Sequence, residues 1–319
     1  MKILVTGAAG FIGSRVMADL AKRGDAVVGV DNFNDYYDVR LKEGRCKAFG
    51  LDVKHLDIAD KAAVDALFEA ERFDKVVNLA AQAGVRYSIS NPYAYLQSNL
   101  TGFLNILEAC RNNGVKHLVY ASSSSVYGLN AKVPYSEQDK VDAPVSLYAA
   151  TKKSNELMAH AYCKLYGIAM TGLRYFTVYG PWGRPDMSPM LFANAISKGE
   201  PIKVFNGGDM IRDFTYIDDI VAGTIGCVDH EPAPDANGLP FRVYNIGCSH
   251  PVKLMDFIAE LEKAMGKEAK KEFLPMQPGD VYQTNADTSL LEKEIGYKPR
   301  VRLPEGIAKF VEWYKSWNA

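Results

Sequence analysis

The 319-residue chain is poor in several features that would place it in other protein classes. It has five cysteines, Cys46, Cys110, Cys163, Cys227 and Cys248, an odd number without metal-ligand spacing. That argues against a disulfide framework and for buried thiols in a reducing cytoplasm. Its five histidines are scattered, so no metal site is expected. The net charge is only -1, with acids and bases interspersed. There is no basic block or aromatic-basic stripe to suggest a nucleic-acid partner, and no polybasic helix to suggest a membrane surface. The first apolar run, Ile3-Leu4-Val5, is too short for a signal peptide or a membrane span. The sequon Asn99-Leu100-Thr101 is therefore expected to stay unmodified.

What is present is an ordinary globular composition, 48% hydrophobic and 24% charged, at a length that allows two domains. Lys2 to Thr6 reads as a buried strand. It runs into Gly7-Ala8-Ala9-Gly10-Phe11-Ile12-Gly13 and then a helical pattern through Ala21. Glycines at these three places let the backbone turn tightly and approach a pyrophosphate, whose charge a helix N-terminus favours. A second strand, Ala26 to Val30, ends at Asp31, where an acid bonds a ribose hydroxyl and repels a 2′-phosphate. The order strand, glycines, helix, strand, acid therefore predicts NAD over NADP.

Further along, a helix-containing connection is expected over Asn32–Gly50, strands over Leu51–Leu56 and Phe73–Leu79, and a helix over Ala62–Ala70. Leu100, Phe103, Leu104 and Leu107 recur at helical spacing and predict one buried face. Leu157, Ala161 and Leu165 mark another helix, and Ala169 to Leu173 continues the sheet. The alternation predicts an α/β fold with a doubly wound parallel sheet. Residues 1–174 form the nucleotide-binding domain, with segments near 213–247 returning to it. Residues 175–319, rich in proline and glycine at the start, are mainly a smaller substrate domain. Its expected elements are a strand at Arg242–Ile246 and helices at Leu254–Met265 and Pro304–Trp317.

The chemistry concentrates between Ser122 and Lys152. The run Ser122-Ser123-Ser124-Ser125 follows the apolar stretch Lys116–Ala121, so it sits at a strand's carboxyl end, the ligand edge of such a sheet. Tyr148 and Lys152 are four apart at a helix start and share a face. A phenol titrates near 10, and a neighbouring ammonium would lower that value and make a usable base.

With these residues assembled, the chain resembles the extended short-chain dehydrogenase/reductases and, within them, the nucleotide-sugar epimerases. The likeness rests on Gly7, Gly10 and Gly13, Asp31, Asp57-Ile58, Leu79-Ala80-Ala81, Asn99, the serine run, Tyr148 with Lys152, and Arg212-Asp213. Two segments, Asp31-Asn32 with Asp35-Tyr36-Tyr37-Asp38 and Tyr175 to Met187, resemble the UDP-glucuronate 4-epimerase group. The resemblance implies 4-epimerisation of UDP-glucuronate to UDP-galacturonate with a permanently bound NAD. It implies a homodimer through the helices starting near Leu100 and Tyr148. Tyr148 would take the 4-hydroxyl proton with Ser123 on the same oxygen, and Lys152 would hold the nicotinamide ribose. The cofactor would also meet Phe11, Ile12, Asn32, Asp57, Ile58, Leu79, Ala80, Ala81, Asn99, Ser122, Tyr175 and Val178. Ser124, Ser125, Thr177, Phe205, Arg212 and Asp280 would meet the substrate, with Phe205 against uracil and Arg212 on the pyrophosphate. Arg184 and Thr177 are expected to grip the uronate carboxylate, unless Arg184 merely pairs with Asp186.

One departure is Gln277, where galactose epimerases carry an arginine. Related dehydratases and UDP-xylose-forming decarboxylases usually have a glutamate just before Val-Tyr-Gly, and the dehydratases use an Asp-Glu pair. Here those positions are Ser124 and Ser125, so the acid and base of elimination are missing. Epimerases of UDP-glucose or UDP-N-acetylhexosamine, and a decarboxylase of the same family, remain the alternatives. A non-enzymatic NAD-binding protein would typically lack the Tyr or the Lys.

Overall fold

The computed structural model describes residues 1–277 and 279–318. Alternation of strand and helix begins at once. In chain order come β1 (Lys2–Thr6), α1 (Phe11–Lys22), β2 (Ala26–Asp31), α2 (Val39–Phe49), β3 (Val53–His55), α3 (Lys61–Glu71) and β4 (Lys75–Asn78). Two short turns of helix, α4 (Tyr87–Ser90) and α5 (Pro92–Tyr95), lead through a π-helical stretch, Leu96–Thr101, into α6 (Gly102–Asn112). Then follow β5 (His117–Ser123), α7 (Leu147–Tyr166) and β6 (Ala169–Tyr175). The remainder is β7 (Thr177–Tyr179), α8 (Ser188–Lys198), β8 (Pro201–Phe205), β9 (Ile211–Arg212), β10 (Phe214–Tyr216), α9 (Ile217–Asp229), β11 (Phe241–Ile246), β12 (Val252–Lys253), α10 (Leu254–Met265), β13 (Lys270–Leu274), α11 (Ser289–Ile295) and α12 (Leu303–Trp317).

Seven of the strands form one parallel sheet in the order β11-β6-β5-β4-β1-β2-β3. The order reverses direction at β1, and crossovers on either side of that point leave a crevice at the strands' carboxyl ends. The expected parallel α/β sheet is present, and β11 returns to it from late in the chain. The strands expected over Leu51–Leu56 and Phe73–Leu79 are shorter, Val53–His55 and Lys75–Asn78. Three two-stranded pairs, β7 with β10, β9 with β12 and β8 with β13, are all drawn from residues after 175.

Side chains alternate across β1, and the core divides accordingly. Ile3 and Val5 pack into a cluster with Phe11, Val16, Ile217, Ile220 and Phe310. Leu4 packs on the opposite face with Val76, Phe103, Leu107, Leu118 and Cys163. Within α6 the buried face differs from the one expected: Phe103, Ile106, Leu107 and Cys110 are buried, while Leu104 is 41% exposed. These four follow the i, i+3, i+4, i+7 spacing of one helix face, and Leu104, one residue past Phe103, falls outside it. In α7 the expected marker residues point away from the core. Thr151, Lys152, Asn155, Glu156, Ala159 and Cys163 are buried, whereas Leu157 and Leu165 are 59% and 69% exposed.

Candidate active site

A cavity of about 1230 Å³ runs along the carboxyl edge of the sheet. Its floor is the turn between β1 and α1. Gly7 has φ of +67°, and a Cβ there would lie 2.8 Å from Ala80 N, while one on Gly13 would lie 2.1 Å from Gly7 O. Only glycine lets α1 and the segment after β4 close on this turn. The first-turn N–H groups of α1 lack intrahelical partners and lie where Gly10, Phe11, Ile12 and Gly13 line the cavity.

At the end of β2, Asp31 lines the same cavity but its carboxylate is already engaged. It accepts from Ala9 N at 3.2 Å and Phe33 N at 2.8 Å, and the buried Lys42 ammonium lies 3.4 Å away. Asn32 donates to Asp57 at 3.0 Å, which ties the second strand's end to the loop carrying Asp57 and Ile58. Leu79, Ala80 and Ala81 form the wall after β4.

Asn99 is placed otherwise than expected. It does not line the cavity; its side chain accepts from Gln82 N at 2.8 Å and donates to Gln82 O and Thr151 Oγ1, each at 3.0 Å. The amide is consumed in holding the loop after β4 against α7, so it shapes the wall from behind.

Ser146 caps α7 by accepting from Ala149 N at 3.1 Å, which starts the helix just before Tyr148. The β5 end brings Ser122, Ser123, Ser124 and Ser125 to the cavity beside Tyr148 and Lys152. Ser123 Oγ accepts from Ser125 N at 3.2 Å and Ser125 Oγ at 2.9 Å, so its own proton remains free to donate. Ser122 donates instead to Glu156 at 2.6 Å. Glu156 is held by Arg174 through two bonds, at 2.8 and 2.9 Å, and Arg174 reaches Tyr127 at 3.0 Å. Burial raises the Glu156 pKa, but the Arg174 contacts outweigh it and keep the carboxyl low. This buried pair fastens α7 to β5 and β6 and so fixes where Tyr148 stands. No short motif announces it, because the partners are far apart in sequence.

Burial raises the Tyr148 pKa, and the groups that pull it back are the Ser123 hydroxyl and the Arg184 charge. Lys152 Nζ donates to Ala121 O at 2.8 Å, and burial lowers its pKa to about 7.

The far wall comes from residues after 174. Tyr175, Thr177, Val178, Arg184, Phe205, Arg212 and Asp280 all line the cavity. Tyr175 Oη pairs with Thr224 Oγ1 at 2.9 Å, leaving only its ring to the cavity. Arg212 donates to Asp280 at 2.7 Å and to Val281 O at 2.6 Å. Arg184 donates to Asp186 from Nε at 3.0 Å and also from Nη2, so the pairing weighed in the sequence is present. Two further wall residues are Arg86, which the sequence does not single out, and Gln277, the departure from the galactose epimerases. Arg86 lies over the Phe205 ring at 5.5 Å, and Gln277 Oε1 is buried without a hydrogen-bond partner. Among the described residues no group of three His, Cys, Asp or Glu could hold a metal ion.

Comparison with known proteins places this arrangement. Residues 3–247 match the NAD dependent epimerase/dehydratase family. UDP-glucuronate 4-epimerase 4 of Arabidopsis thaliana is 49% identical over 99% of this chain and 75% of its own length. A probable UDP-glucuronate 4-epimerase of Rhizobium meliloti is 47% identical over 98% of this chain and 97% of its own. Among solved structures, UDP-glucuronic acid 4-epimerase from Bacillus cereus, in complex with UDP-glucuronic acid and NAD, superposes with a TM-score of 0.90. It is 36% identical and covers 99% of this chain and 100% of its own. The UDP-glucose 4-epimerase of Thermotoga maritima, solved with UDP-glucose, has a TM-score of 0.89 at 29% identity and full coverage of both chains, 100% each.

Proposed function

The chain belongs to the NAD dependent epimerase/dehydratase family, and on that premise we propose that it interconverts UDP-glucuronate and UDP-galacturonate by inverting C4 with tightly bound NAD. The observation that carries this reading is that one cavity joins the Tyr148–Ser123 pair to Arg184 while offering serine, not glutamate, at positions 124 and 125.

The residues present fit NAD. The glycine turn leaves space that a single Cβ would fill, α1 offers its N-terminus to a pyrophosphate, and Asp31 and Asn32 stand where an adenosine ribose is held. Lys152 would reach the nicotinamide ribose. When bound, NAD supplies the acceptor and donor of two electrons at the sugar's C4.

The chain's own residues do the rest. Ser123 donates to the 4-oxygen and Tyr148 takes its proton, then returns it after the sugar has turned over. Ser123 and Arg184 set the phenol's acidity against the burial that raises it. Thr177 and Arg184 hold the uronate carboxylate. That hold matters because the oxidised sugar is a β-keto acid, and keeping the C5–carboxylate bond out of line with the carbonyl π system preserves the carbon dioxide unit. Arg212, steadied by Asp280, and Arg86 grip the diphosphate, and Phe205 receives the uracil. Gln277 presents an unpaired oxygen to a ribose hydroxyl, in place of the arginine of galactose epimerases.

In this reading residues 1–174 with 213–247 serve the cofactor and the rest of 175–319 serves the sugar nucleotide. The exposed Leu104, Leu157 and Leu165 of α6 and α7 form the contact of a homodimer. The five free cysteines suit the cytoplasm, and no described helix is long and apolar enough to cross a membrane. Incubation with UDP-glucuronate followed by mass and proton spectra of the product tests the activity: unchanged mass with a galacto configuration supports it, and loss of carbon dioxide assigns a decarboxylase.

A further inference from the structure

Asp186 occupies one edge of the Arg184 guanidinium. It accepts from Nε at 3.0 Å and from Nη2, and its Oδ2 also accepts from Tyr36 Oη at 2.9 Å. A guanidinium has five N–H groups in a planar fork. With the Nε side committed, what remains for a ligand is the end formed by Nη1 and the second proton of Nη2. Tyr36 comes from the loop after β2 and Arg184 and Asp186 from the loop before α8, so this contact ties the two loops together.

The surroundings are built for it. Gly84 stands where these groups converge: a Cβ there would lie 2.8 Å from Tyr36 Oη, 3.6 Å from Arg184 Nη2 and 3.7 Å from Tyr95 Oη. Tyr95 donates to Ala83 O at 3.0 Å and to Gly84 O, holding that segment still, and its ring meets Tyr148 edge-on at 5.9 Å. The Tyr36 ring packs on Tyr87 at 4.7 Å. Arg184, Asp186, Tyr36 and Tyr148 all line the cavity.

We propose that Asp186 and Tyr36 are positioning residues: they act as a built-in counter-carboxylate that fixes the plane of Arg184 and leaves the sugar carboxylate only the end-on Nη1–Nη2 edge. The proposal rests on the uronate reading above. Two consequences follow from the charge arrangement. The Arg184–Asp186 pair is nearly neutral as a unit, so a uronate is selected by the geometry of the fork more than by bare attraction. The fixed plane also sets the torsion of the bound carboxylate and hence its resistance to loss. If that torsion is free, the C5–carboxylate bond of the 4-keto sugar can break. Its electron pair enters the C4 carbonyl as an enolate that takes up one proton, carbon dioxide leaves, and UDP-4-keto-pentose departs while the two electrons removed at C4 stay with the cofactor.

The test uses the NAD-loaded enzyme and its Asp186→Asn and Tyr36→Phe variants. Calorimetry gives dissociation constants for UDP-glucuronate, UDP-glucose and UDP, and mass spectrometry gives the ratio of 4-keto-pentose to epimer. Asp186→Asn keeps an acceptor but loses the charge, so uronate binding should hold or tighten while the ratio rises roughly tenfold, the weight of one charge-assisted hydrogen bond. Tyr36→Phe should shift the ratio the same way by less, with UDP binding unchanged in both. A ratio unchanged in both variants overturns the positioning role. So does parallel weakening of UDP and UDP-glucuronate, which would mark general damage to the loop. If the unmodified enzyme itself binds UDP-glucuronate no better than UDP-glucose, the uronate reading falls, and this proposal with it.

Discussion

Replacing Lys152 by methionine should stabilise the cofactor-free protein while abolishing its turnover. Lys152 is 3% exposed, and burial lowers its pKa from 10.5 to about 7. At roughly 1.4 kcal/mol per pH unit, holding the charged form inside costs roughly 5 kcal/mol at and below pH 7. Methionine matches the lysine stem in length, but losing the bond to Ala121 O at 2.8 Å returns about 1 kcal/mol of that. Allowing for imperfect packing, the net gain should be about 2–4 kcal/mol near neutral pH. The sign with pH is fixed by proton binding. Between about pH 7 and 10.5 the unfolded chain binds the extra proton, so wild-type stability rises with pH across that window and the variant lacks the slope. The advantage should therefore be largest below about pH 7 and fade towards pH 10. Urea unfolding of NAD-stripped wild type and Lys152→Met across that range reads it directly. A variant no more stable below pH 7, or one whose difference is constant with pH, would refute the claim that this lysine is held at a cost.

Tyr148→Phe should keep its NAD yet lose turnover by about a hundredfold to ten-thousandfold, as removal of a general acid-base group does; a wild-type rate in single turnover would move the proton transfer elsewhere. Arg184→His should weaken UDP-glucuronate binding and raise the share of 4-keto-pentose, seen by product mass spectrometry, and an unchanged ratio would shift carboxylate recognition to another residue. The purified protein should release close to one NAD per chain on denaturation without any having been added, because a cofactor restored within each turnover gains nothing by leaving; full activity with almost none released would contradict internal redox.

Much of this was readable in the sequence where physics is local. Gly7, Gly10 and Gly13 sit between strand and helix because a backbone turn demands them, and Tyr148 with Lys152 follows a capping Ser146. What failed was spacing that cannot tell a core from an outer face: Leu157, Ala161 and Leu165 satisfy a helical repeat yet face outward. Equally hidden was protonation. The Lys152 charge depends on what surrounds it, and only the fold shows its Nζ against Ala121 O. Contacts across long separations, such as Tyr36 on Asp186 and Glu156 on Arg174, carry no pattern in the chain. At Asn99 the motif is legible, but its hold on Gln82 and Thr151 is visible only in the fold.

The most direct test of the central claim is to give the purified enzyme UDP-glucuronate alone, with no added nicotinamide, and follow the sugar by proton NMR. The account predicts UDP-galacturonate of unchanged mass, approached to the same final ratio from either sugar. Release of carbon dioxide with a pentose product, or conversion that requires a continuing supply of NAD, would contradict it.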